Sequence, residues 1–125
     1  MRALMIVVTL ALLAGCPSSL SLTGTWSGVI EDGIWGTGTL EVEIVQHENV
    51  ISGVWQAWFP EAEFEMAGAI SGSAEDGSFS AILSPSDSSY CAMSVVGSWE
   101  GDALDATYVA VDCSESDVGT IALER

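Results

Sequence analysis

Residues 61–70, EAEFEMAGAI, contain the pattern that decides the fold. Every second residue is apolar or glycine, and these are Ala62, Phe64, Met66, Gly68 and Ile70. Because successive side chains of a strand point to opposite faces, this alternation predicts a β-strand with one buried and one solvated face. Residues 37–46 show the same alternation and predict a second strand of this kind.

Segments of this type recur along residues 23–125, separated by turn-forming residues at spacings of roughly 8 to 12 residues, which is typical of an all-β domain. The predicted strands are 24–31, 36–46, 50–59, 62–71, 77–84, 90–99, 104–112 and 118–124. Short connections favour antiparallel pairing of consecutive strands, and an eight-stranded meander can close on itself. The predicted fold is therefore one small antiparallel meander barrel, with a β-sandwich as the alternative.

The predicted turn at 101–103 sets the register of one hairpin. A three-residue turn there places Val95 opposite Val109 and leaves Tyr108 on the other face. The motif Ala106-Thr107-Tyr108 nevertheless resembles a core segment with a small residue two positions before an aromatic one. A bulge in the strand would reconcile the two observations.

The same register brings Cys91 opposite Cys113 and predicts a disulfide between them. A disulfide closing a loop of this length stabilises a domain by roughly 3 kcal/mol in the chain-entropy model. Two free buried thiols are the alternative.

The N-terminal residues predict export. Arg2 precedes the apolar run ALMIVVTLALLA at 3–14, which has the length of a signal-peptide core and is shorter than the ~20 residues that a membrane-spanning helix needs. The following residues 13–16, LAGC, resemble the lipobox of bacterial lipoproteins. This resemblance implies that 1–15 is a lipoprotein signal peptide, removed before a lipidated Cys16.

The expected mature protein has a lipidated cysteine and short tether at 16–22, followed by the barrel at 23–125. The lipid on Cys16 would anchor it to a membrane of the bacterial cell envelope. Pro17 differs from the Asp that retains lipoproteins in the inner membrane, which favours the outer membrane. An ordinary secreted protein or an uncleaved anchor is the alternative.

Three segments, 24–26, 53–55 and 97–99, place a glycine two residues before a tryptophan and hence on the same face of a strand. Trp26, Trp55 and Trp99 are therefore predicted to point into the barrel and are the candidate ligand-binding residues. An eight-stranded barrel is just wide enough to be filled by side chains or to hold one small ligand.

LTGTWSG at 22–28 and ISGVW at 51–55 resemble the first two motifs of avidin-type and lipocalin-like barrels. The resemblance implies a small ligand-binding barrel. Gly28 stands where the avidin pattern has its ligand-binding asparagine, so biotin binding is not implied.

The charge is one-sided, with 18 Asp and Glu against Arg2 and Arg125, no lysine and a net charge of −16. Such a protein repels nucleic-acid phosphates and anionic lipid head groups. We expect no nucleic-acid partner, and a monomer that its acidic surface keeps soluble.

Residues that carry enzyme chemistry are scarce. His47 is the only histidine and lies in a predicted turn, and the predicted disulfide uses the remaining thiols. We therefore expect no enzymatic activity, no cofactor and no zinc site. Asp112, Glu115 and Asp117 form a weak calcium candidate without the spacing of an EF-hand, and a solvated acidic loop is the favoured interpretation.

Two functions remain open. The first is binding of a small apolar or aromatic ligand inside the barrel. The second is a structural or interaction role toward an envelope protein or glycan, with a filled core and an exposed patch of Trp35, Trp58 and Phe59.

Overall fold

A computed structural model of the chain describes residues 20–111 and 117–125, which form a closed all-β barrel. Its strands are β1 (Gly24–Asp32), β2 (Gly36–His47), β3 (Val50–Phe59), β4 (Phe64–Glu75), β5 (Ser78–Pro85), β6 (Met93–Glu100), β7 (Ala103–Ala110) and β8 (Val118–Glu124). Each strand pairs antiparallel with the next, and β8 pairs with β1 to close the barrel. The predicted eight-stranded meander barrel is confirmed.

The strand bounds differ most from the prediction around β4 and β6. The predicted strand 62–71 begins at Phe64, because 60–63 forms a turn in which Glu63 has a φ of 50°. It then continues to Glu75, where a two-residue turn begins. The predicted strand 90–99 begins only at Met93.

The alternation that predicted the strands also builds the interior. In β2, the inward side chains of Leu40, Val42 and Ile44 are buried, and the intervening residues are exposed. Burial of such a side chain contributes about 1.5–3 kcal/mol. The continuous core that results holds the barrel together, since each strand supplies alternate residues to it.

The predicted register of the β6–β7 hairpin is wrong by one residue. Residues 101–102 form a two-residue turn, with Gly101 at a φ of 60°, and Val95 lies opposite Tyr108 instead of Val109. Every residue of β7 therefore points to the face opposite to the predicted one. Tyr108 is 2% exposed inside the barrel and Val109 is 48% exposed outside it, so no bulge is needed.

The barrel has two different ends. At the closed end the chain enters β1, and the turns 48–49, 76–77 and 101–102 lie there. At the open end lie the longer connections 33–35, 60–63 and 86–92. Across the described ranges 20–111 and 117–125, no helix is long and apolar enough to cross a membrane.

The closed end is sealed by Arg125 and Trp26. The Arg125 guanidinium carbon lies 4.4 Å from the centre of the buried Trp26 ring, and its nitrogens donate to the carbonyls of Ser21 at 2.6 Å and Gly101 at 2.7 Å. The Trp26 indole N–H donates to the carbonyl of Leu22 at 2.9 Å. These bonds tie the segment before β1 to the residue after β8.

Candidate functional site

A cavity of about 280 Å³ lies inside the barrel at the open end. Its wall is mostly apolar, and its aromatic members are Trp35, Trp55, Phe59, Tyr90 and Tyr108. Two carboxyl groups, those of Asp32 and Asp117, complete the lining. An apolar pocket with a few convergent polar groups is the usual form of a small-molecule site.

Ring contacts fix the aromatic part of this wall. Phe64, the first residue of β4, stacks on Trp35 with the ring centres 4.2 Å apart. The edge-to-face contact between Phe64 and Tyr90 has a centre distance of 5.1 Å. Since each such pair contributes about 0.5–1.5 kcal/mol beyond simple burial, they hold the connections 33–35 and 86–92 against β4. We call Trp35, Phe64 and Tyr90 the aromatic wall, of which Trp35 and Tyr90 line the cavity and Phe64 does not.

Asp32 ends β1 and holds the turn that follows. Its Oδ1 accepts hydrogen bonds from the backbone N–H groups of Ile34 and Trp35, each at 2.8 Å. Asp commonly closes a turn in this way, by accepting from the backbone two or three residues ahead. Its Oδ2 accepts from the hydroxyl of Tyr108 at 2.5 Å. The carboxylate is therefore fixed in place by three donors.

Tyr108 reaches Asp32 because Gly119 lies between them. Tyr108 pairs with Gly119 across β7 and β8, and Gly119 pairs with Asp32 across β8 and β1, so the three form one row. A Cβ at position 119 would come within 2.3 Å of the Tyr108 hydroxyl oxygen. Only glycine leaves the space in which the phenol crosses the intervening strand.

Asp117, just before β8, makes a side-chain hydrogen bond with Asp32. Burial by itself raises the pKa of Asp32, but this bond and those from Tyr108, Trp35 and Ile34 outweigh burial and hold the pKa below its usual value. Asp32 is therefore ionised near neutral pH.

The phenol of Tyr108 stays protonated in this environment. Burial raises its pKa first, and the hydrogen bond to Asp32 and the charges of Asp32 and Asp117 raise it further. Tyr108 thus acts as a permanent donor to the carboxylate.

Two hydrogen-bonded carboxyl groups also occur in acid–base catalysis, where they share a proton and can both act on a substrate. In this barrel both oxygens of Asp32 already accept from the turn and from Tyr108. The arrangement places a carboxylate with both oxygens already hydrogen-bonded in the lining of an apolar cavity.

Of the three tryptophans predicted to bind ligand, Trp55 lies in the cavity wall. Its indole N–H donates to the carbonyl of Ala69 at 2.9 Å, which fixes the ring. Trp26 and Trp99 are buried in the core, as their motifs predict, but neither belongs to the cavity lining. Trp26 lies under Arg125, and Trp99 packs near Phe79 with ring centres 6.4 Å apart.

The patch predicted from Trp35, Trp58 and Phe59 does not form. Phe59 is 2% exposed and lines the cavity together with Trp35. Trp58 is 42% exposed on the outer face of β3. Alternation along the strand separates the two neighbours, 58 and 59, to opposite sides of the barrel wall.

Cys91 is disulfide-bonded and lines the cavity. Cys113, its predicted partner, lies outside the described residues, as does the predicted lipidation site Cys16.

The calcium candidate falls partly on the same region, since Asp112 and Glu115 also lie outside the described residues. Its third member, Asp117, contacts Asp32 at the cavity. Among residues 20–111 and 117–125, no three His, Cys, Asp or Glu side chains are grouped so as to hold a metal ion.

The prediction missed Asp32, Tyr108 and Gly119 as site residues. Asp32 lies one residue beyond the predicted strand 24–31, and the predicted hairpin register turns Tyr108 outward. The available signal was the motif Ala106-Thr107-Tyr108, which conflicted with that register. Gly119 in a strand was a second signal, because glycine there often marks a close approach.

Comparison with known proteins assigns neither a family nor a function to this chain. No protein-family model matches the chain, and no curated protein and no solved structure matches it significantly.

Proposed function

We propose that this chain is a lipid-anchored protein of the bacterial cell envelope whose barrel binds one small, largely apolar and aromatic ligand without transforming it. The cavity of about 280 Å³ at the open end is the observation that carries the binding role. At ~30 Å³ for each molecule of liquid water, it corresponds to roughly nine water molecules. A ligand of about ten non-hydrogen atoms therefore suits it.

The position of the tether supports a definite orientation. Leu22 is buried at the closed end, and Cys16 precedes it by only six residues. A fully extended segment of this length reaches roughly 20 Å. A lipid on Cys16 would thus keep the closed end near the bilayer, with the cavity opening away from it. The ligand would then enter from the aqueous side.

The anchor is tested by expressing the full chain in a Gram-negative bacterium beside Cys16→Ser. We expect an acylated N-terminal peptide that begins at Cys16, and no acylation in the variant, by mass spectrometry. Ser18→Ala is the matched control, because it alters the tether and leaves the LAGC motif intact. An unmodified thiol at Cys16 in the wild type would refute the anchor.

Ligand binding is tested with 2-phenylethanol, a neutral aromatic molecule of suitable size, by calorimetric titration of the purified full chain. Ala110→Phe should abolish binding, because Ala110 lines the cavity. Ala67→Phe adds the same ring to the exposed outer face of β4 and is the control. Failure of the wild type to bind this probe would count against the proposed function.

One observation favours the alternative role in binding a glycan or an envelope protein. Trp58 lies exposed in a shallow outer groove beside Glu41 and Gln56. Aromatic rings flanked by polar groups suit sugar or protein surfaces. Loss of binding to isolated cell envelopes in Trp58→Ala, with 2-phenylethanol binding unchanged, would support this alternative.

A further inference from the structure

We infer that the ligand of the open-end cavity is a neutral aromatic compound with a hydroxyl group, a phenol or an aryl alcohol, which donates its O–H hydrogen to the hydroxyl oxygen of Tyr108. This inference rests on the proposed function and names the chemical class of its ligand.

The first argument concerns the hydrogens of the buried polar groups that line the cavity. Tyr108 is 2% exposed and donates its hydroxyl hydrogen to Oδ2 of Asp32. Trp55 is 3% exposed and donates its indole hydrogen to the carbonyl of Ala69 at 2.9 Å. Among the buried lining residues within 20–111 and 117–125, no side-chain donor is left over for a ligand. A polar group of the ligand that lies beside them must therefore be a donor itself.

The hydroxyl oxygen of Tyr108 is the acceptor that suits this donor. A phenol oxygen can accept hydrogen bonds in addition to donating its one hydrogen. Because Tyr108 donates to the ionised Asp32, its oxygen is polarised and becomes a stronger acceptor. The oxygens of Asp32 already accept from the turn and from Tyr108. Tyr108 is therefore the residue that the hydroxyl group of the ligand contacts.

The exposed polar groups of the lining impose no such requirement. Ser89 donates its hydroxyl hydrogen to Asp87 at 2.7 Å. Tyr90 is 37% exposed, so water can satisfy its hydroxyl group when the ligand does not. The preference for a donor therefore arises at the buried Tyr108.

The remainder of the lining favours a neutral aromatic ligand. The wall is mostly apolar, and burying a charge in such surroundings costs far more than burying a hydroxyl group. The rings of Trp35 and Tyr90 line the same cavity, and aromatic rings pack well on one another by offset stacking or edge contacts. A ligand oxygen that can only accept would lie beside Tyr108 without a donor, which weakens its binding.

The test compares two isomers, 2-phenylethanol and benzyl methyl ether, by calorimetric titration of the full chain at pH 7. The two molecules have the same atoms, but only the alcohol carries an O–H donor. We expect the alcohol to bind at least ~10-fold more tightly than the ether. This comparison uses the wild type and depends on no variant.

Asp32→Asn tests the role of Tyr108. The asparagine Oδ1 still accepts from the backbone N–H groups of Ile34 and Trp35, so the amide nitrogen takes the place of Oδ2 beside Tyr108. An amide nitrogen donates and does not accept. Tyr108 must then accept from it, and the phenol hydrogen becomes available to the ligand. We expect the preference for the alcohol to fall to within about twofold.

Glu61→Gln is the matched control, because it makes the same change from carboxylate to amide at the same end of the barrel. Glu61 is an exposed residue of the turn 60–63 and does not line the cavity. We expect this variant to keep the full preference for the alcohol. Loss of the preference here would attribute it to the acidic surface and overturn the inference.

The other outcomes separate the inference from the proposed function. Equal binding of the two isomers, or tighter binding of the ether, overturns the inference and leaves the binding of a small aromatic ligand standing. Binding of neither isomer counts against the proposed function and the inference together. Retention of the full preference in Asp32→Asn shows that Tyr108 does not select the ligand, and overturns the inference alone.

Discussion

The two ends of this barrel use charge in opposite ways. At the closed end the guanidinium of Arg125 is covered by Trp26 and satisfied by backbone carbonyls. At the open end the carboxyl pair of Asp32 and Asp117 faces a cavity whose lining contains no basic residue. One end is therefore completed by contacts within its own chain and stabilises the fold, whereas the other end encloses a cavity.

The largest effect is expected from breaking the closed end with Arg125→Ala. This change removes the cation above Trp26 and the donors to three backbone carbonyls, those of Ser21, Thr23 and Gly101. We expect the free energy of unfolding to fall by about 3 kcal/mol, measured by urea denaturation.

Asp102→Ala is the control for this prediction. It removes the ion pair of 3.0 Å between Arg125 and Asp102, whose side chain is 74% exposed. Exposed ion pairs contribute at most about 1 kcal/mol. If both variants lost the same stability, the ion pair and not the carbonyl contacts would hold the closed end.

A somewhat smaller loss is expected when the open end is disturbed through Gly119→Ala. The added methyl group would meet Tyr108 and the backbone oxygen of Glu31. We expect a loss of about 2 kcal/mol from overpacking, together with weaker 2-phenylethanol binding as the phenol shifts. Thr120→Ala, on the outer face of the same strand, should change neither quantity. Unchanged stability of Gly119→Ala would show that the strand yields at this position.

The charge of the open end predicts an acid-sensitive contribution to stability. The pKa of Asp32 is lower in the folded than in the unfolded protein, so its contribution is present above about pH 4 and disappears as the pH falls through the folded value. At pH 7 the free energy of unfolding of the wild type should exceed that of Asp32→Asn by about 1.5 kcal/mol. Urea denaturation should show that this difference in free energy becomes smaller below about pH 4.

Two other groups face Asp32, namely Asp117 and the phenol of Tyr108. Tyr108 is neutral throughout this acid range, because its pKa is raised. Glu41→Gln, on the outer face of β2, controls for the loss of one negative charge. If the difference in free energy of unfolding between the wild type and Asp32→Asn stayed constant down to about pH 2, the charged state assigned to Asp32 would be contradicted.

The smallest effect is expected from Trp58→Ala on the outer face. Trp58 is 42% exposed and takes no part in the cavity lining. We expect its removal to lower the free energy of unfolding by less than about 1 kcal/mol and to leave 2-phenylethanol binding unchanged. Trp35→Ala, which opens the aromatic wall, should weaken binding at least about fivefold. Equal effects of the two changes on binding would contradict the distinction between the cavity and the outer face.

The fold was predictable because its main signal is local. Alternation in 37–46 and 61–70 depends only on residues within one strand, and each strand buries the predicted face. The three segments with a glycine two residues before a tryptophan also predicted correctly that Trp26, Trp55 and Trp99 lie inside the barrel. Short turns then leave few ways to connect eight strands other than a meander.

The candidate site was less predictable because it depends on the register between strands. A shift of one residue in the β6–β7 hairpin turns Tyr108 from the outer to the inner face, and alternation within β7 does not fix that shift. The contact between Asp32 and Tyr108 also joins residues 76 positions apart in sequence. The contact depends on β8, which pairs with both β7 and β1.

The pairing of β1 with β8 has a consequence for how the molecule folds. Among the eight described strands, it is the only pairing between strands that are not consecutive in sequence. Every other pairing joins consecutive strands and can form locally, but the seam must wait until β8 and Arg125 reach β1. Until then β1 has an unpaired edge that other chains can join. Closure of the seam is therefore expected to be the slow folding step and the stage most exposed to aggregation.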